Sequence, residues 1–129
     1  MRSVHFGLVL SLAVLGALAS GCRNQRGSIA SCTPGESLVI GCDDTVGVTC
    51  SGDPTLTICD GAVISVPENC TRSASGFLAF SDDEGSGLCP LLTTICPASG
   101  SIAINPDPFG RSSTTWSCTY AVIRGGVGP

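Results

Sequence analysis

Nine cysteines in 129 residues constrain this chain more than any other feature it has. Cys22 directly follows the small-residue stretch Ala19-Ser20-Gly21, while Cys32, Cys42, Cys50, Cys59, Cys70, Cys89, Cys96 and Cys118 are spread over the rest. An even set of eight suits four disulfides, with the ninth thiol given a different fate. Cysteine this dense in an exported chain is usually a covalent framework that compensates for a modest core. From Cys22 onward the chain is one domain's worth, a size at which folding buries somewhat under about 70% of the unfolded surface. No CxxC pair occurs, so zinc and iron-sulfur sites have no support. Spacing alone does not fix which cysteine pairs with which.

The first 21 residues have the form of a secretory signal: Arg2, an apolar run from Phe6 to Ala19, then Ala19, Ser20 and Gly21. The run is short for a bilayer span, which needs roughly 20 apolar residues. Leu18-Ala19-Ser20-Gly21-Cys22 resembles the lipobox of bacterial lipoproteins, in which a diacylglyceryl group is added to a thiol directly after small residues. Ala19 stands where a large aliphatic residue is usual, and Leu18 lies one place early. The alternative is an ordinary signal peptide cut near Ala19 or Gly21, leaving Cys22 as an odd thiol. The resemblance implies lipidation at Cys22 and stable anchoring by several acyl chains. Residues 22–31 then form a lipidated tether of roughly 30 Å at full extension, residues 32–123 the domain and residues 124–129 a flexible tail. Arg23 is not the Asp that retains lipoproteins in the inner membrane of enteric bacteria, so the implied address is the outer membrane.

What the chain lacks narrows its chemistry further. The one histidine, His5, lies in the signal segment, and lysine is absent throughout. After cleavage there is no imidazole base, no His-assisted nucleophile, no Ser-Lys dyad and no Schiff-base amine. Disulfide-bonded cysteines are not nucleophiles. Only paired-carboxylate hydrolysis survives this cut. Five arginines (Arg23, Arg26, Arg72, Arg111, Arg124) face ten acids from Cys22 onward, a net charge of −5. That field repels phosphate backbones, so nucleic acid is not an expected partner.

No stretch after Cys22 keeps apolar residues at helical spacing, and Gly, Pro, Ser and Thr interrupt every run. Short runs rich in Val, Ile, Leu and Thr predict strands at 36–41, 46–50, 55–59, 62–66, 76–81, 91–96, 101–105 and 114–123. The pattern predicts an all-β, disulfide-stabilised β-sandwich, jelly-roll-like. Leu56 and Ile58 share one face of their run, as do Ile102 and Ile104, and these are predicted core. In 114–123, Trp116, Cys118, Tyr120 and Val122 point one way, which predicts a central strand. Prolines 54, 90, 97, 106 and 108 stand at run boundaries.

Three segments in order resemble the bacterial pre-peptidase C-terminal domain, a small β-sandwich carried on exported proteins. Thr33-Pro34-Gly35-Glu36-Ser37-Leu38-Val39-Ile40 is similar to its "aGxxLxv". Gly52-Asp53-Pro54-Thr55-Leu56-Thr57-Ile58-Cys59-Asp60-Gly61 is similar to "DPxLxLYDxxG". Asp82-Asp83-Glu84-Gly85, with Leu91 to Ile104, is similar to "NDD…L…PxxGxYxv", and Thr114 to Ile123 would close the fold. An early "D-x-Y-x-F" strand has no counterpart here, and Cys59 replaces an aromatic, which would fit a disulfide in place of ring packing. The second segment is also similar to the "DxLxIYDG" of CUB domains. The pre-peptidase resemblance implies an accessory role in targeting, folding or substrate contact.

The acidic residues Asp53, Asp60, Asp82, Asp83 and Glu84, with Asp43 and Asp44 in an earlier loop, are candidates for Ca²⁺, which takes carboxylate and carbonyl oxygens. The competing reading is ordinary solvated turns. No other cofactor is called for. Trp116, Tyr120 and Phe109 are candidates for stacking on a sugar ring. For Trp116 and Tyr120 core packing is the better reading, while Phe109 is expected exposed. Asn69-Cys70-Thr71 matches a glycosylation sequon with little weight on a bacterial export route.

Three function classes remain. The first is a non-catalytic envelope interaction or structural module, contacting a protein or polysaccharide. The second is a disulfide-rigidified protease inhibitor, which needs an exposed loop held between cysteines, such as Cys59 to Cys70 or Cys70 to Cys89. The third is a carboxylate hydrolase using Asp82 or Asp83.

Overall fold

The computed structural model describes residues 26–85, 87–109 and 115–125. The sequence there breaks into short β-branched runs between turns, and nine strands result: β1 (Ser28–Ser31), β2 (Ser37–Gly41), β3 (Cys50–Ser51), β4 (Pro54–Asp60), β5 (Phe77–Ser81), β6 (Leu91–Ile95), β7 (Ser101–Pro108), β8 (Ser117–Cys118) and β9 (Ala121–Arg124). Two single 3-10 turns complete the regular structure, at Asp44–Val46 and Pro67–Asn69. The strands form a four-stranded sheet ordered β1-β7-β4-β5, a three-stranded sheet β6-β2-β9 and a ribbon β3-β8. Every pairing is antiparallel.

Strand alternation puts Leu56 and Ile58 of β4 and Ile102 and Ile104 of β7 on one face of the larger sheet. They meet Leu38 and Ile40 of β2 and Leu92 of β6, and all but Leu92 are wholly buried. Each such side chain contributes about 1.5–3 kcal/mol of transfer free energy, and the sandwich is held mainly by this layer. The two sheets also approach at one side: Leu91 N–H donates to the Ser81 hydroxyl at 2.9 Å. Gly41 is required there, since a Cβ would lie 2.7 Å from Leu91 Cδ1 and 3.0 Å from the Pro90 carbonyl.

All eight cysteines from Cys32 on are paired, as Cys32–Cys96, Cys42–Cys118, Cys50–Cys89 and Cys59–Cys70. The first joins the end of β1 in one sheet to the end of β6 in the other. The second ties β2 to β8 through the core, and the third ties β3 to the loop before β6. The fourth closes a short loop on the outer face of the larger sheet.

Several expected boundaries move. Residues 28–31 of the expected tether are β1, laddered on Ser101–Ile104 of β7. Arg124, assigned to the tail, closes β9; its guanidinium donates to the Ser31 carbonyl at 2.6 Å and meets Glu36 at 3.5 Å. Residues 126–129 lie outside the described residues. The run 114–123 is not one central strand. Its described part is split into β8 and β9, and β9 is an edge. The predicted face survives the split, because Cys118 is buried in the core and Trp116, Tyr120 and Val122 pack on it.

The run 62–66 forms no strand. The Asp60 carbonyl accepts the N–H groups of Val63 and Ile64, and its carboxylate accepts that of Ala62, so the chain turns. Residues 46–50 likewise yield to the 3-10 turn capped by Asp43, with only Cys50 in a strand. Pro106 lies inside β7 rather than at its boundary, while Pro108 is its last residue. Phe109 N–H bonds the Asp53 carbonyl, so alternation turns positions 106 and 108 toward the edge that β1 leaves uncovered, where no N–H is needed.

Candidate functional site

The outward face of the larger sheet is built by the residues that alternate with the core. Register places Asn105 and Phe80 beside Thr57, and Asp107 beside Thr55. One end of this face is capped by the Cys59–Cys70 loop, whose floor is Cys59, Cys70 and Ala103 with Ile64 and Ala74 packed on it. Asn105 Nδ2 donates to the Cys70 carbonyl at 2.9 Å and fastens the loop to β7. Beyond the loop lies a groove of about 460 Å³ lined by Thr55, Thr57, Thr71, Arg72, Phe80 and Asp107, among others.

The groove is polar but structured. Thr55 and Thr57 are almost wholly buried despite facing outward, and the Thr55 hydroxyl donates to the Asp107 carbonyl at 3.1 Å. Arg72 lies over the Phe80 ring, its guanidinium carbon 4.3 Å from the centroid, which fixes a cation at the rim. Burial raises the Asp107 carboxyl above the usual range. The groove thus gathers a guanidinium, a carboxyl and threonine hydroxyls, groups able to hydrogen-bond. Sequence reading passed over these residues, because alternating threonines on a strand look like ordinary outward positions. The one signal was Arg72, a lone cation among acids.

The calcium candidates divide. Asp60 lies at the far end of β4 from Asp53, where it takes Ala62 N–H and the Ser99 hydroxyl, the latter at 2.6 Å. Asp53 and Asp82 come together, and each has its Oδ1 buried with no hydrogen-bond partner among the described residues. Burial raises the Asp82 carboxyl, and the neighbouring Asp53, Asp83 and Glu84 add to that. Glu84 is held low by the Ser81 hydroxyl, which donates to Oε2 at 2.5 Å, and by the Asp82 N–H at 2.8 Å. Among the described residues no three carboxylate, histidine or cysteine side chains converge as a metal would need.

Of the aromatic candidates, Trp116 and Tyr120 pack on the core. The Tyr120 hydroxyl bonds the Ser28 hydroxyl at 2.5 Å and the Arg26 carbonyl at 3.3 Å, and burial raises its pKa. Phe109 is 52% exposed at the end of β7, and Asn69 is exposed in its 3-10 turn. Cys22 lies outside the described residues. The chain matches no family model, no curated protein and no solved structure. The likeness to the pre-peptidase C-terminal domain therefore rests on the three segments alone. Two of them run into β2 and β4, and the third passes through β6 to Ile104 of β7.

Proposed function

We propose that this chain is a lipid-anchored, non-catalytic interaction module of a bacterial cell envelope, held at the outer membrane through Cys22. It presents the groove over β4 and β7 to an envelope protein or polysaccharide. The observation behind the anchor is the closed pairing of the eight cysteines from Cys32 to Cys118. That pairing leaves no cysteine in the chain for Cys22, which follows Leu18-Ala19-Ser20-Gly21. The accessory role implied by the pre-peptidase resemblance points the same way, as does a groove with hydrogen-bonding groups.

The test is the intact mass of protein purified from membranes, before and after reduction and alkylation. The expected mass is Cys22 to Pro129 plus acyl chains, with eight thiols becoming alkylatable only on reduction. A mass without acyl chains sinks the anchor, and free thiols before reduction sink the framework. The groove is tested separately on envelope polysaccharide fractions, whose retention Arg72→Ala should abolish.

The inhibitor reading has one observation in its favour. The Cys59–Cys70 disulfide closes one of the loops it requires, and that loop exposes Val63 and Val66. Inhibition of a panel of exogenous proteases, lost on Val63→Asp, would replace the first reading with this one.

A further inference from the structure

Four large apolar side chains are exposed on the outward side of the larger sheet and on the loop across it, toward the Asp60 end of β4: Ile29 at 44%, Val63 at 53%, Val66 at 49% and Phe77 at 38%. Register makes them one patch. Ile29 pairs with Ala103, Ala103 with Cys59 and Cys59 with Phe77, so Ile29 and Phe77 flank a single row across the outward face of the sheet. The loop from Asp60 to Asn69 crosses the middle of that row. Val63 sits against Gly76, whose added Cβ would lie 2.9 Å from Val63 Cβ. At the other side Pro67, next to Val66, sits against Gly27, where an added Cβ would lie 2.4 Å from Pro67 Cβ. Of the loop's acids, Asp60 is engaged by Ala62 and Ser99, and Glu68 is exposed.

Gly27 is five residues from Cys22, a span of at most about 18 Å. An acylated Cys22 therefore holds the Gly27–Pro67 contact within that distance of the bilayer. In the sequence, Arg23 and Arg26 carry the only side-chain positive charge from Cys22 up to Arg72.

We propose that the Cys59–Cys70 loop, with Ile29 and Phe77 beside it, is a membrane-contact surface that seats this end of the sandwich in the headgroup region and fixes the orientation of the domain. The proposal rests on the lipid anchor at Cys22. It turns the Phe109 end, at the opposite terminus of β4 roughly 20 Å away, toward the aqueous phase, and leaves the groove on the flank between them.

Single tryptophans at Val63→Trp, Val66→Trp and, as the distal control, Phe109→Trp are compared in the acylated full protein, reconstituted into phosphatidylcholine vesicles containing lipids brominated in the upper acyl chain. Trp116 contributes equally to all three, and the unreduced mass confirms four closed disulfides in each. The expected result is quenching at positions 63 and 66 about twofold above that at 109, as burial of an apolar face about 5–10 Å into the interface implies. Acylated protein with equal quenching at all three sites overturns the contact while leaving the anchor intact. Quench-insensitive but blue-shifted tryptophans at 63 and 66, in protein that cross-links as a dimer, overturn it in favour of a second copy. A mass lacking acyl chains overturns the anchor, and the orientation with it.

Discussion

The two faces of the larger sheet are made from the same strands and held by different means. On the inward face Leu56, Ile58, Ile102 and Ile104 interdigitate with the opposing sheet and are wholly buried. On the outward face Thr55, Thr57 and Asn105 are buried almost as deeply. Beside them lies a loop fixed by one disulfide, by Asn105 Nδ2 donating to the Cys70 carbonyl and by Gly61 N–H donating to the Ser101 carbonyl. The inner face draws on apolar transfer, which is collective; the outer face draws on a few discrete fastenings. Damage inside should therefore cost global stability, and damage outside should cost local order.

The sharpest way to break the comparison is Ile58→Ala. A buried Ile-to-Ala change costs about 2–5 kcal/mol, read as a drop in the denaturant midpoint with disulfides intact, and every probe should report the same transition. Next is the pair Cys59→Ala with Cys70→Ala. Opening a loop of sequence separation 11 should cost about 2–3 kcal/mol in the chain-entropy account. Its distinguishing sign is hydrogen exchange that rises across 60–74 before it rises in β4 or β7.

Asn105→Ala comes third, at about 1–2 kcal/mol for a buried hydrogen bond whose carbonyl partner is left behind. It should loosen the same segment with the disulfide still closed.

The smallest effect belongs to the acidic corner. Asp82 titrates above its ordinary range when folded, so its contribution is present at low pH and is lost as pH rises from the unfolded value toward the raised one. Glu84, held low, has the opposite sign and loses its contribution as pH falls through its depressed value. Asp82→Asn should gain less than about 1 kcal/mol at neutral pH, as expected for a partly exposed group. It should also flatten the decline in stability that sets in as pH rises above the ordinary Asp value of about 3.9, leaving the slope of the same sign from Asp107. A wild-type stability that instead rises with pH there contradicts the assignment.

The inner face was readable from the sequence because alternation is a local signal: Leu56-x-Ile58 and Ile102-x-Ile104 need only a pleat to declare themselves. The even cysteine count announced the framework, but pairing depends on which chain ends the fold brings together, and spacing does not contain that. β1 escaped notice because Ser28-Ile29-Ala30-Ser31 is short and half polar, and becomes a strand only when β7 supplies its partner. The run 62–66 has strand-like side chains and no strand, since Asp60 turns the backbone at its first step. The groove was unreadable for a related reason. Arg72 reaches Phe80 only once the Cys59–Cys70 loop has folded back over the sheet.

The overlap of the disulfides has a consequence for how the molecule breaks. The closed intervals 32–96, 42–118, 50–89 and 59–70 together span every peptide bond from Cys32 to Cys118. A protease that cuts once anywhere in that range adds a water and releases nothing. The two pieces stay joined until the bridges are reduced, and only the outermost strands, β1 and β9, lie on chain that a single scission sets free. Such a protein wears by accumulating silent nicks rather than by losing pieces.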